Sequence, residues 1–209
     1  MTDRNKAAIV GWAHSQFGKL DAPDVESLIG LVASDALAHA GIGPKDVEFI
    51  TVGTYNNGFG KQGFEAALVA LNIPELGSTP AVHVENACAT GSAAIHTALD
   101  FIESGRGKIA LVVGAEKMTA TPTAEVGEIL LSACYRPEEA NINAGFAGIF
   151  GKIAANYFQR YGDRSAELAM IAAKNHLHGL SNPYAHMRKD FGFDFCNTIS
   201  DKNPIVAGP

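Results

Sequence analysis

Apolar positions along the first half of the chain arrive in two alternating rhythms. Short apolar runs at 7–11, 47–53, 81–85 and 108–115 have the length and content of buried strands. Helical periods separate them. Val25, Leu28, Ile29, Val32, Ala36, Leu37 and Ala40 recur at spacings of three and four, with Asp24 in place to cap the start and Gly41 to stop the end. A short helix is predicted over 64–71 and a longer one over 89–104. The run at 108–115 is so apolar that both of its faces call for cover. Strands alternating with helices predict an α/β fold with a mainly parallel sheet.

The texture changes after Glu116. Residues 117–145 hold Pro122 and Pro137 and no sustained period, which reads as a long excursion over the surface or over a site. Two helices follow at 146–161 and 165–178, with Gly162 and Gly179 as stops, and 180–209 reads as mostly irregular. The chain thus divides into an α/β region, 1–116, and a mainly helical region, 117–209. No internal repeat is visible.

Composition narrows the function classes. A length of 209 residues, 47% hydrophobic and 18% charged, permits a sizeable core. The net charge of −6 carries no basic stripe, so nucleic acid is not an expected partner. The longest clean apolar run, 109–113, falls far short of the ~20 residues a membrane span needs. The polar first residues lack a signal-peptide pattern, and a cytoplasmic protein is expected. Three cysteines, Cys88, Cys134 and Cys196, stand too far apart for a disulfide framework or a zinc site. No metal site is expected.

Cys88 is the candidate nucleophile. It lies where a predicted strand passes through a tight turn into a predicted helix, and helix N-termini favour anions and lower a thiol's pKa from its free value of ~8.5. The same backbone N–H groups can stabilise the oxyanion formed when a thiolate attacks a thioester. Ala89, Gly91, Ser92, Ala93 and Ala94 let a long substrate approach, and no charge appears on the helix until Asp100. Such a helix is expected to be buried on most sides. The competing reading is a small buried hydrophobe, the commoner fate of a free cysteine. Position alone does not separate the two.

The segment Asn86-Ala-Cys-Ala-Thr-Gly-Ser92 resembles the nucleophile turn of the thiolase family. The segment at 9–18 is similar to that family's first strand, and Gly114-Ala-Glu-Lys-Met118 to its Gly-x-Glu-x-Met segment. Tyr161-Gly162, Ala172-Ala-Lys-Asn-His176 and Asn182-Pro-Tyr-Ala185 resemble the loop domain of the sterol-carrier-protein type. The resemblance implies the N-terminal half of a thiolase, one αβα layer with a mainly helical loop domain. It implies acyl transfer to and from CoA through an acyl-Cys88 intermediate, with CoA thioester as substrate and no bound cofactor. Gly91, Glu116 and Met118 would line the substrate site, although packing accounts for Glu116 and Met118 equally well.

The resemblance stops short of the family's second half, which supplies a His in a Gly-His-Pro motif and a Cys in a Gly-rich turn. Cys134 and Cys196 have no following glycines and are not promoted to that role. His176 and His178 point to different sides of a helix, while His83 and His96 read as core or interface histidines. The resemblance therefore implies a truncation or a split subunit. Expected partners are acyl-CoA and either a second copy or a second-half polypeptide, and the isolated chain is expected to self-associate or to be poorly soluble.

Two other readings remain at this level. One is a non-catalytic thiolase-like scaffold. The other is a dinucleotide-binding protein, because Gly58-Phe-Gly-Lys-Gln-Gly63 fits Gly-x-Gly-x-x-Gly, with Glu85 about 20 residues on.

Overall fold

The computed structural model describes residues 6–55 and 58–201. Among these the chain forms two compact units, residues 6–15 with 19–121, and residues 16–18 with 122–201. In the first, helix α1 (Val25–Ala40) forms as its caps dictate. The Asp24 carboxylate accepts from the Ser27 N–H at 2.8 Å, and Gly41 closes the helix in the left-handed conformation. Its inward face, Ile29, Ala33 and Leu37, repeats every four residues.

Three parallel strands make the sheet, β1 (Phe49–Gly53), β2 (Ala81–Val84) and β3 (Ala110–Gly114), in the order β2-β1-β3. Strand β1 is central and buried throughout, and its side chains alternate between two layers. Ile50 and Val52 join the core with α1 and with the short helix α2 (Leu68–Asn72). Phe49, Thr51 and Gly53 instead face helix α3 (Thr90–Glu103). Phe49 stacks on Phe101 at 4.5 Å, and the Thr51 hydroxyl donates to the Ala94 carbonyl at 3.2 Å. A Cβ at Gly53 would stand 2.7 Å from Thr90 Cγ2, so a glycine is required for α3 to seat here. The result is an αβα layer, α/β as the sequence predicts.

Several expectations are corrected. Residues 7–11 form no strand: Ile9 is 79% exposed, and Gly11 rests on Ala36 and Ala40 of α1. An apolar run signals a segment that prefers cover, but a strand also needs an edge to pair with. The 64–71 helix is split into a 3₁₀ turn at Glu65–Ala67 and α2. Strand β3 is covered less evenly than predicted, with Leu111 and Val113 buried but Ala110 and Val112 only half-buried. Helix α3 buries Thr90, Ala94, Ala98 and Phe101 and leaves Gly91, Ser92, Ile95 and His96 exposed, so it is one-sided rather than buried on most sides.

The second unit is helical: α4 (Thr123–Leu130), α5 (Arg136–Glu139), α6 (Gly145–Tyr161), α7 (Ser165–Ser181) and α8 (Gly192–Cys196). Helix α4 falls inside the stretch read as irregular, and α8 interrupts a tail read likewise. Helix α7 packs on α8, where His176 meets Phe191 edge-on and Phe191 stacks on Phe195. On α6, Phe150, Ile153, Tyr157 and Tyr161 form a stripe more than half exposed. No described helix is long and apolar enough to cross a membrane.

Candidate active site

Parallel strands bring their C-terminal ends to one edge of the sheet, the edge where α/β proteins hold ligands. Strand β2 leaves that edge into a turn that delivers Cys88 to the start of α3. Ala87 takes φ +47°, a left-handed conformation that costs a non-glycine residue on the order of 1–3 kcal/mol. Three hydrogen bonds hold it there. The Ala87 N–H donates to Glu85 Oε1 at 2.6 Å, the Asn86 N–H donates to Thr90 Oγ1 at 2.8 Å, and the Thr90 hydroxyl donates to the Ala87 carbonyl at 2.7 Å. Thr90 is buried against Gly53, so the fold of the sheet fixes the turn.

Cys88 sits in a 3₁₀ turn, Ala87–Ala89, with its side chain exposed. The Ala89 N–H donates to the Asn86 carbonyl at 2.9 Å. The N–H groups of Asn86, Ala87 and Ala89 are therefore committed within the turn. Among the described residues, the Cys88 N–H has no such acceptor, and it is the donor the turn offers to a reacting carbonyl oxygen. Gly91 lies exposed in the first turn of α3, with open space where a Cβ would stand.

Behind the turn, polar side chains bridge the strand ends. Thr54 Oγ1 hydrogen-bonds with His83 Nε2 at 2.8 Å, joining the end of β1 to β2, and His83 Nδ1 lies 3.8 Å from the buried Glu65 carboxylate. The Tyr55 N–H donates to Glu116 Oε2 at 2.6 Å, joining the end of β1 to that of β3. Half-burial pushes the Glu116 carboxyl up to about 7; the Tyr55 N–H opposes this shift and the nearby Glu65 charge adds to it. Met118, in a 3₁₀ turn at Met118–Ala120, is 37% exposed. His83 belongs to this polar group, whereas His96 is exposed on α3. Glu65, Thr54, Tyr55, His83 and Thr90 are the residues that sequence reasoning missed as parts of a site. Only Thr90, two residues past the cysteine at a helix start, gave a local signal.

The Glu116 carboxyl makes stability fall with pH. Its folded pKa of about 7 lies above the ordinary value of 4.5, so folding favours the neutral form. That contribution is complete below about 4.5 and is lost as pH rises through about 7. For a half-exposed group, solvent screening leaves an effect of about 1–2 kcal/mol. The melting temperature of the wild type is expected to drop relative to Glu116→Gln between about pH 5 and about pH 8. Parallel curves for the two proteins would contradict this.

The glycine fingerprint is corrected by its setting. Asn56 and Asn57 lie outside the described residues, and after Gly63 the chain enters a 3₁₀ turn holding the buried Glu65, then the five-residue α2. A pyrophosphate needs a helix opening at the glycines with positive potential at its N-terminus. Here a buried carboxylate and a very short helix stand in its place, and Glu85 is engaged with the Ala87 N–H. Among the described residues no cluster of three or more His, Cys, Asp or Glu is arranged to hold a metal.

A strand, a strained turn and a helix present an exposed thiol at the C-terminal edge of the sheet in an αβα layer, which defines an α/β protein. Residues 7–191 match the model of the thiolase N-terminal domain, and the chain belongs to the thiolase family. It is 34% identical to an acetyl-CoA acetyltransferase of Methanocaldococcus jannaschii, over 85% of this chain and 45% of that protein. It is 28% identical to sterol carrier protein 2 of Bos taurus, over 91% of this chain and 36% of that protein. Among solved structures, an acetyl-CoA acetyltransferase from Syntrophomonas wolfei superposes with a TM-score of 0.61 at 22% identity, over 85% of this chain and 47% of the other, a likeness of fold. The chain spans less than half the length of these relatives.

Proposed function

We propose that this chain accepts an acyl group from acyl-CoA on Cys88. Cys88 Sγ attacks the thioester carbonyl, the carbonyl carbon's bond to the CoA sulfur breaks, and CoA leaves as the thiol with the proton that Sγ gives up. The product is acyl-Cys88, and the reverse step returns the acyl group to CoA. The observation that carries this reading is the exposed thiol next to a left-handed Ala87, on a turn whose other N–H groups are committed, in a chain of the thiolase family. CoA thioester is substrate here, and no cofactor is invoked. Gly91 leaves room for the acyl chain beside the thiol, and Met118 offers an apolar contact.

Claisen condensation adds a second requirement, a base beside the carbonyl that removes a carbon-bound proton. We assign that base to a thiolase second half that lies outside the region this chain spans in its relatives. The described cysteines are all unpaired, which supports a reducing compartment such as the cytoplasm.

Protection from alkylation tests the binding half of this reading. Iodoacetamide is expected to modify Cys88 ahead of the buried Cys196, and acetyl-CoA to slow modification at Cys88 alone. Alkylation of Cys88 that acyl-CoA leaves unchanged would favour a scaffold, and protection by NAD instead would favour dinucleotide binding.

A further inference from the structure

Helix α6 turns its largest apolar side chains outward. Phe150, Ile153, Tyr157 and Tyr161 are each more than half exposed, and at ~3.6 residues per turn they fall within about 80° of arc, in a single stripe about 17 Å long. A contiguous apolar stripe marks a contact surface, where single exposed side chains do not. Its rings are already ordered. Phe150 meets Phe146 edge-on at 5.3 Å, the Tyr157 and Tyr161 rings lie 4.7 Å apart, and the Arg160 guanidinium stands over the Tyr161 ring at 5.3 Å. Side chains held in this way have less rotamer freedom to lose when a partner covers them.

We propose that this stripe is a self-complementary surface through which two copies of the chain pair, α6 against α6 in antiparallel orientation. The inference does not depend on the role of Cys88. Along the helix the stripe reads Phe, Ile, Tyr, Tyr, at spacings of three, four and four residues. A two-fold axis level with Ala155 brings Phe150 to Tyr161 of the second copy and Ile153 to its Tyr157, and symmetry repeats both contacts. Every member of the stripe then meets an apolar or aromatic one. Ala147 and Ala154 run along one side of it and leave a groove for a ridge of the facing helix.

Charge selects the partner and the orientation. Lys152 and Arg160 are the charged residues of α6, which carries no carboxylate. Lys152 lies exposed on the face away from the stripe. Arg160 borders the stripe, and in the antiparallel pair it comes level with Phe150 of the second copy, whose ring suits a guanidinium. A parallel pair would set Arg160 against Arg160 instead. An acidic partner would find that one cation at the rim, whereas the four side chains between call for an apolar surface, and a second α6 supplies it.

The test is sedimentation velocity on the whole chain. Four side chains a copy make less than a standard interface, so the dimer is weak, and the wild type is expected to pass from monomer to dimer between about 10 and about 500 µM. Ile153→Lys and Tyr157→Glu each set an unpaired charge into the contact and are expected to stay monomeric throughout. Mixed in equal amounts they are expected to pair again, because the antiparallel register places the introduced ammonium of one opposite the introduced carboxylate of the other. Recovery on mixing also shows that both variants are folded. Tyr161→Ala, which adds no charge, is expected to weaken pairing about tenfold and gives a second reading should either charged variant fail to fold. A wild type that stays monomeric at every concentration would overturn the proposal. So would a dimer that all three variants retain, which would place the contact on another surface, or folded charged variants that do not recover on mixing.

Discussion

Thr90→Val is expected to lower the rate of Cys88 acylation by about 100-fold and to destabilise the fold by about 1–3 kcal/mol. The substitution keeps the shape of a buried side chain and removes only the hydroxyl. That hydroxyl accepts from the Asn86 N–H and donates to the Ala87 carbonyl, so both groups lose a partner in one step. The Ala87 carbonyl keeps its bond from the Thr90 N–H and Asn86 is exposed to water, so the loss is that of two hydrogen bonds, about 1–3 kcal/mol. The larger consequence is geometric: Ala87 is held at φ +47° against its own preference, and without Thr90 it relaxes toward an ordinary conformation. The Cys88 N–H and Sγ then no longer address the same carbonyl. Thr90→Ser, which keeps the hydroxyl, is expected to recover most of the rate. A fall in stability with no change in rate would separate Thr90 from the chemistry.

Phe101→Ala is expected to cost about 3–5 kcal/mol, the range for emptying a buried aromatic site, and to lower the melting temperature by roughly 6–20 °C. Phe101 closes the far end of α3 against the sheet: its ring stacks on Phe49, and the Arg106 guanidinium lies over it at 5.6 Å. Gly107 packs so close that a Cβ there would fall 2.5 Å from the ring. Since domains of this size are stable by only about 5–15 kcal/mol, the loss is a large fraction of the whole. A change under about 1 kcal/mol in chemical denaturation would mean that α3 is not anchored through Phe101.

What could be read in advance follows from how local each signal is. Helix α1 carries its cap, its period and its stop within eighteen residues, from Asp24 to Gly41, and each points the same way. The strand, turn and helix around Cys88 were legible for the same reason. Ala87 was not, because a left-handed residue announces itself only when it is glycine or asparagine. Helix α4 offers Val126, Ile129 and Leu130 in eight residues, too few for a period to stand out. The bridging side chains were out of reach altogether: Thr54 and His83 are 29 residues apart, and Tyr55 and Glu116 are 61 apart. Such pairs come together only once the strand order is known. Residues 7–11 failed in the opposite sense, since their apolar character was read correctly and their pairing was assumed.

The role proposed for this chain is to take an acyl group from CoA on Cys88 without completing condensation by itself. Mass spectrometry of the digested chain after incubation with acetyl-CoA tests it most directly, with Cys88→Ser as control and acetoacetyl-CoA formation assayed in the same sample. The expected result is an acetyl adduct on the Cys88 peptide, its absence in the serine variant, and acetoacetyl-CoA at background. A chain that never carries the adduct, or one that forms acetoacetyl-CoA by itself, would contradict it.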